Sequence, residues 1–185
     1  YNKGMNGETY ICVDVETAGP VPSQYAMLSI GACLVDDPGE YFYIELKPDR
    51  EDSDPDALVI SGLSMDALRE QGVDPKTGMQ AFADWVVSVT PDNERVVFVA
   101  LNAPFDWMFV SDYFHRYLQW NPFGHSALDI KAYYMGITGV PWAKTSLKYM
   151  VADLGLNKKL THNALRDAQD QAELFREIIK RFSKS

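Results

Sequence analysis

Asp14 and Glu16, in the run Ile11-Cys12-Val13-Asp14-Val15-Glu16-Thr17, lie two residues apart in a stretch of β-branched and apolar residues. On a strand, side chains two apart leave the same face, roughly 6.5–7 Å from each other. Two carboxylates so placed can ligate Mg²⁺ or Mn²⁺, hard cations that prefer oxygen donors and keep several waters. Alone, Asp-x-Glu is a weak signal, because acids at a strand end are ordinarily just solvated. Another acid, Asp106, closes the run Asn102-Ala103-Pro104-Phe105-Asp106, in which Pro104 suits the first turn of a helix. A helix N-terminus stabilises such a carboxylate without any further role. The third stretch, His162-Asn163-Ala164-Leu165-Arg166-Asp167, places an acid five residues after a histidine. Inside one helix those side chains would point roughly 140° apart. They can address one site only if His162 lies in the preceding loop and Asp167 on an early turn.

The elements that must position these residues are legible from periodicity and turn chemistry. Residues 9–15 form an apolar, β-branched run bounded by Gly7 and by Gly19-Pro20, which predicts a strand. Residues 27–35 repeat the pattern and end in the turn cluster Asp36-Asp37-Pro38-Gly39 before a third strand over 40–46. Together they predict an antiparallel meander. Met79, Phe82, Ala83 and Val86 mark one buried face of a helix over 76–89, and residues 96–101 read as a buried central strand. Pro104 opens a helix running through Phe114, and a further helix over 146–154 ends at Gly155. Ala168, Ala172, Phe175, Ile179 and Phe182 recur at steps of four and three, so a last helix lays an apolar stripe on the sheet. Strands first, then alternating helix and strand, then helices, predict an α/β domain with a mixed sheet.

Composition narrows the rest. At 185 residues with 46% hydrophobic and 23% charged residues, the chain can bury one core without disulfides or structural metal. One domain over residues 5–185 is expected, with Tyr1 to Gly4 preceding Met5 as an expression-tag remnant. No apolar run approaches the roughly 20 residues that span a bilayer. Cys12 and Cys33 both fall in strand-like runs and read as buried, reduced thiols of an intracellular, cytoplasmic protein. The net charge of −9 argues against a broad basic face for long duplex nucleic acid, unless divalent cations invert the field locally. Lys144, Lys148, Lys158, Lys159 and Arg166 form the one basic enrichment, with a solvated helix face and a phosphate-contacting track weighing equally. Residues 49–56, rich in Asp, lack the Gly and Glu of a calcium loop and read as an exposed acidic loop.

The three stretches, taken in order, resemble the motifs of the DEDDh subgroup of the DnaQ-like 3′→5′ exonucleases, which share a ribonuclease H-like fold. Asp14-Val15-Glu16-Thr17 is similar to the first motif, Asn102 to Asp106 to the second, and His162 to Asp167 to the third. They are spread over nearly the whole chain. The run Asp14 to Gly19 looks most like ribonuclease T and its relatives, which trim RNA and DNA 3′ ends. Residue 101, where related enzymes often carry His, is Leu here.

The resemblance implies a ribonuclease H-like α/β fold with a mixed five-stranded sheet, three antiparallel strands followed by parallel ones, flanked by helices. It implies two divalent cations, Mg²⁺ with Mn²⁺ able to substitute, held by Asp14, Glu16, Asp167 and Asp106. His162 would be the general base in a catalytic set completed by those four acids. Thr17, Met27, Asn102 and Phe105 would contact substrate, although Met27, Leu28 and Phe105 also suit the core. The implied activity releases nucleoside 5′-monophosphates from single-stranded RNA or DNA 3′ ends, RNA favoured. The rivals are DNA proofreading or repair and a catalytically silent binding module. Relatives of ribonuclease T pair as homodimers, and the same is expected here.

Overall fold

The computed structural model describes residues 7–156 and 161–182. Strand β1 (Glu8–Thr17) pairs antiparallel with β2 (Met27–Leu34), which pairs antiparallel with β3 (Tyr41–Glu45). After helices α1 (Pro55–Ser61), α2 (Met65–Gln71) and α3 (Pro75–Val89), strand β4 (Arg95–Ala100) enters parallel to β1 on its other side. Helix α4 (Ala103–Leu118) leads to β5 (Ala127–Asp129), parallel to β4. The sheet order is β3-β2-β1-β4-β5, the mixed five-stranded arrangement expected from sequence. Helices α5 (Ile130–Thr138), α6 (Leu147–Leu154) and α7 (Ala164–Phe182) complete the chain, with a 3₁₀ turn at Trp142–Lys144.

Alternation along β1 sorts its side chains between two cores. Ile11, Val13 and Val15 pack with Phe82, Phe109, Tyr113 and Phe114 of α3 and α4. Cys12 faces the other way, into a core with Val99, Ile130, Met150, Ala168, Ala172 and Phe175. Asp14 and Glu16 share the parity of Cys12, so the strand presents both acids to the face that α7 covers. Cys12 and Cys33 are register partners across β1 and β2, both buried and free.

The long apolar helices and strands fall within two residues of their sequence-based positions, except that α4 runs past Phe114 to Leu118. Helices α1, α2 and α5 and strand β5 were not expected. Helix α1 buries no residue and rests on caps: Asp54 accepts from the Asp56 N–H, Pro55 opens the first turn and Gly62 closes it with φ 67°. Strand β5 has only three residues and no pattern to betray it.

The acidic loop over residues 49–56 also differs, because Asp54 to Asp56 belong to the cap and first turn of α1. Asp49 is drawn in, accepting from Tyr113 Oη (2.5 Å), Tyr117 Oη (2.7 Å) and the Arg116 guanidinium. Tyr113 Oη in turn accepts from the Met27 N–H at 2.8 Å, tying α4 to the start of β2.

Among the described residues no helix is long and apolar enough to cross a membrane.

Candidate active site

A cleft of about 280 Å³ opens at the end of β1, lined by Asp14, Glu16, Thr17, Asn102, Phe105, Asp106, His162 and Asp167. Three separate stretches of sequence therefore meet in one place. Asp14 and Glu16 leave β1 side by side, and a register shift at Glu16/Thr17 ends the regular ladder there. Asp106, 4% exposed, sits on the first turn of α4, and its Oδ1 accepts from the Val15 N–H at 3.1 Å. The helix thus delivers its acid to the backbone between the two β1 carboxylates.

The third stretch resolves the angular conflict seen in the sequence. His162 lies outside α7, in the left-handed region at φ 56°, and Asp167 lies on the helix's first turn. The Asp167 carboxylate folds back on that loop: Oδ1 accepts from the Thr161 N–H (2.7 Å) and hydroxyl (2.9 Å), Oδ2 from the His162 N–H (2.8 Å). These bonds fix the loop that aims His162 at the cleft. Donor atoms of Glu16, His162 and Asp167 all lie within 4.8 Å of one another.

Close approach of α7 to the sheet depends on Gly31, the register partner of Asp14 on β2. A Cβ at Gly31 would stand 2.2 Å from the Ala164 carbonyl carbon and the Leu165 nitrogen. Any side chain there would lift the helix that carries Asp167.

Gln171, one turn beyond Asp167 and 2% exposed, was missed by sequence reasoning. Its Nε2 donates to Asp14 Oδ1 at 2.7 Å and its Oε1 accepts from the Leu101 N–H at 2.8 Å. The available signal was its spacing, since four residues after Asp167 it must share that face of the helix.

The acids crowd one another. Burial, then the charges of Asp106, Glu16 and Asp167, push the Asp14 carboxyl well above the usual range, against the bond from Gln171. Glu16 is pushed up to about 7 by burial and by Asp167. Asp106 is raised as well, chiefly by burial, despite its backbone hydrogen bond from Val15. An all-oxygen cluster with an adjacent imidazole, destabilised by its own charge, fits hard divalent cations.

Of the residues expected to contact substrate, Thr17 is buried and its hydroxyl donates to the Gly19 carbonyl at 2.8 Å. Phe105 is half-buried against Phe109, with ring centroids 5.4 Å apart, and still lines the cleft. Met27 is a correction: it is fully buried in the core beneath α4, because the register shift at Glu16/Thr17 pairs it with Thr17 and so turns it into the same layer as Val15 and Ile30. Its side chain has no free face for a base. Lys144, Lys148 and Arg166 are exposed, while Lys158 and Lys159 lie outside the described residues.

Comparison with known proteins gives a consistent picture. The chain matches the 3′–5′ exoribonuclease Rv2179c-like domain over residues 9–179. It is 46% identical over 173 residues to the 3′–5′ DNA exonuclease Cap18 of Escherichia coli, covering 94% of this chain and 92% of that one. It is 30% identical to ribonuclease T of a Shewanella species, covering 93% of this chain and 82% of that one.

Among solved structures, E. coli exonuclease I in complex with a dT13 oligonucleotide aligns with a TM-score of 0.71 at 18% identity, over 95% of this chain. A 3′-exonuclease that recognises a histone mRNA stem-loop aligns with a TM-score of 0.76 at 13% identity, over 96% of this chain. The chain spans 42% of the exonuclease I chain and 65% of the 3′-exonuclease chain, so these two establish the shared fold. With the family match running through nearly all of the sequence and through all three acidic stretches, the chain belongs to the Rv2179c-like 3′–5′ exoribonuclease domain family and is a DnaQ-like 3′–5′ exonuclease.

Proposed function

We propose that the chain removes nucleoside 5′-monophosphates one at a time from the 3′ ends of single-stranded nucleic acid, RNA favoured, with His162 as the general base. The observation that carries this reading is the convergence of Glu16, His162 and Asp167 donor atoms within 4.8 Å at a cleft that Asp14 and Asp106 also line. Asp14, Glu16 and Asp167 would hold one divalent cation, Asp14 would reach a second, and Asp106 would act directly or through a bound water. Mg²⁺ is the cation proposed, Mn²⁺ a substitute. Such cations supply charge neutralisation at the scissile phosphate and at the leaving oxygen.

The chain's own groups do the remaining work. His162, held at the cleft mouth by its backbone bond to Asp167, takes the proton of the attacking water. Asp106 fixes the β1 backbone through the Val15 N–H, and Gln171 fixes the rotamer of Asp14. Ala57 and Ile60 of α1 line the cleft with Phe105 and Leu101 and would give the terminal nucleotide apolar walls. Two subunits pairing so that one feeds the other's cleft remains part of the proposal, for an acidic chain with little basic surface of its own.

A second reading, single-stranded DNA as the substrate, is favoured by the 46% identity to an enzyme named as a DNA exonuclease. Incubating 5′-labelled single-stranded RNA and DNA with Mg²⁺, Mn²⁺ or chelator, beside Asp14→Ala and His162→Ala variants, tests both. A ladder shortening from the 3′ end is expected only with metal and intact residues, and the faster ladder names the sugar. Degradation that persists in both variants would refute the site; no degradation of either oligonucleotide would refute the activity.

A further inference from the structure

The rim of the cleft continues into a surface that neither the carboxylates nor the proton transfer uses. Asn102 lines the cleft, adopts the left-handed conformation at φ 70° and makes no side-chain capping bond to α4. Its Oδ1 instead faces Lys131, whose Nζ donates to it at 3.5 Å. The same Nζ lies 4.3 Å from the centroid of the Trp142 ring. Trp142 is 53% exposed, in the 3₁₀ turn that also carries Lys144.

Neither residue is explained by the fold. A lysine on the first turn of α5 sits at the end of the helix dipole that disfavours cations, and the one acid there, the N-cap Asp129, has its carboxylate taken up by the Ala103 and Ala132 N–H groups. An indole left half in water contributes little to the core and exposes a large apolar ring. What these groups share is a fit to an unpaired nucleotide, whose base stacks on an aromatic face and whose phosphate needs a cation. In a chain of net charge −9, cations beside an acidic cleft are scarce enough for their placement to matter.

We infer that Trp142 and Lys131 form a platform outside the cleft that receives single-stranded nucleic acid a few nucleotides upstream of its 3′ end. The base stacks on the indole, Lys131 meets the phosphate, and the strand passes over Asn102 to the carboxylates. This inference rests on the exonuclease reading for its direction, and it adds a site to it. The occupant is the substrate strand itself, because the platform is continuous with the cleft through the Lys131–Asn102 contact.

The test compares a dinucleotide, too short to reach both places, with an octanucleotide. In wild-type protein kcat/KM should favour the octanucleotide. Trp142→Ala should lower the octanucleotide-to-dinucleotide ratio by about tenfold, within the range for losing one stacked base, and Trp142→Phe should restore most of it. Lys131→Ala should flatten the salt dependence of octanucleotide binding by about 0.7 in logarithmic slope, the value for one phosphate contact on a single strand.

Tryptophan fluorescence in chelator reads binding without turnover. The quenching by octanucleotide seen in wild type should shrink in Trp142→Phe, since Trp142 is one of four tryptophans. An unchanged ratio in Trp142→Ala, or an equal loss in Ala and Phe variants, would overturn the platform while leaving the exonuclease standing. Trp142-dependent quenching in a protein that hydrolyses nothing would uphold the platform and sink the catalytic reading. Absence of both quenching and hydrolysis would overturn both.

Discussion

Asp49 and the pair Asp14–Glu16 are carboxylates withdrawn from water within the same small domain, and their neighbours drive them in opposite directions. Burial alone would raise Asp49, but bonds from Tyr113, Tyr117 and Arg116 outweigh it and leave the carboxyl below its ordinary value of 3.8. Asp14 and Glu16 are half-buried among other acids, with Gln171 donating to Asp14, and both are raised. One arrangement ties a loop to α4 and stabilises the fold. The other stores repulsion at the point where a cation and a phosphate must enter, as functional sites commonly do.

The comparison breaks most visibly at Asp14. Asp14→Asn removes the charge without changing the shape, so activity should fall by about 10³-fold or more, given the several kcal/mol that metal-held charge stabilisation supplies. The same change should raise the melting temperature in chelator; a lowered one would show that the cluster is not under repulsion. Gly31→Ala should cost about 10²-fold in kcat, because lifting α7 displaces Asp167 and His162 together, and about 1–3 kcal/mol of stability from overpacking. Full activity in that variant would show that the helix absorbs the added methyl by a harmless slide.

Asp49→Asn should destabilise by about 1.5–3 kcal/mol, the range for hydrogen bonds to a charged group, with kcat on a dinucleotide kept near wild type. A calorimetric scan and a turnover assay on the same preparation check both halves. Gln171→Leu should lower kcat and cation affinity by about tenfold, the scale for residues that orient a metal ligand. Its cation affinity is readable by calorimetry without turnover, and an unaltered value would reduce Gln171 to a packing residue.

The smallest effect is in pH dependence, and its sign separates the two regions. Glu16 keeps its proton in the folded chain up to about 7 while the unfolded chain loses it near 4.5. Without cations, the group therefore lowers stability as pH rises from 4.5 to about 7. Asp49 does the reverse: its contribution is present above 3.8 and is lost as pH falls through its lower folded value. Chelated Glu16→Gln protein should show a shallower first slope, the remainder coming from Asp14 and Asp106, and keep the second; a slope unchanged across pH 4.5–7 would contradict the assignment.

Long apolar elements and the five catalytic candidates were readable from sequence because each has a repeated or ordered signature. The stripe Ala168, Ala172, Phe175 named α7, and the His162-to-Asp167 step demanded a loop before it. What could not be read depends on contacts between segments far apart in sequence. Gln171 gains meaning only once Leu101 and Asp14 are beside it. Helix α1 has no buried residue from which a period could be counted, and β5 is too short to alternate. Met27 suited either a base contact or the core, because nothing in its run tells which strand face is covered. Asp49 sat among acids that are mostly exposed, and only Tyr113, Tyr117 and Arg116, more than sixty residues later, set it apart.

The seating of α7 against β1 and β2 at Gly31 also has a bearing on timing. The first two acids are made early, but His162, Asp167 and Gln171 belong to the last part of the described chain, and they reach the cleft only when that helix docks. A growing polypeptide therefore carries only part of the candidate centre until the stretch from His162 to Gln171 has been made. The carboxylates of β1 wait for their partners until α7 has emerged and found its glycine.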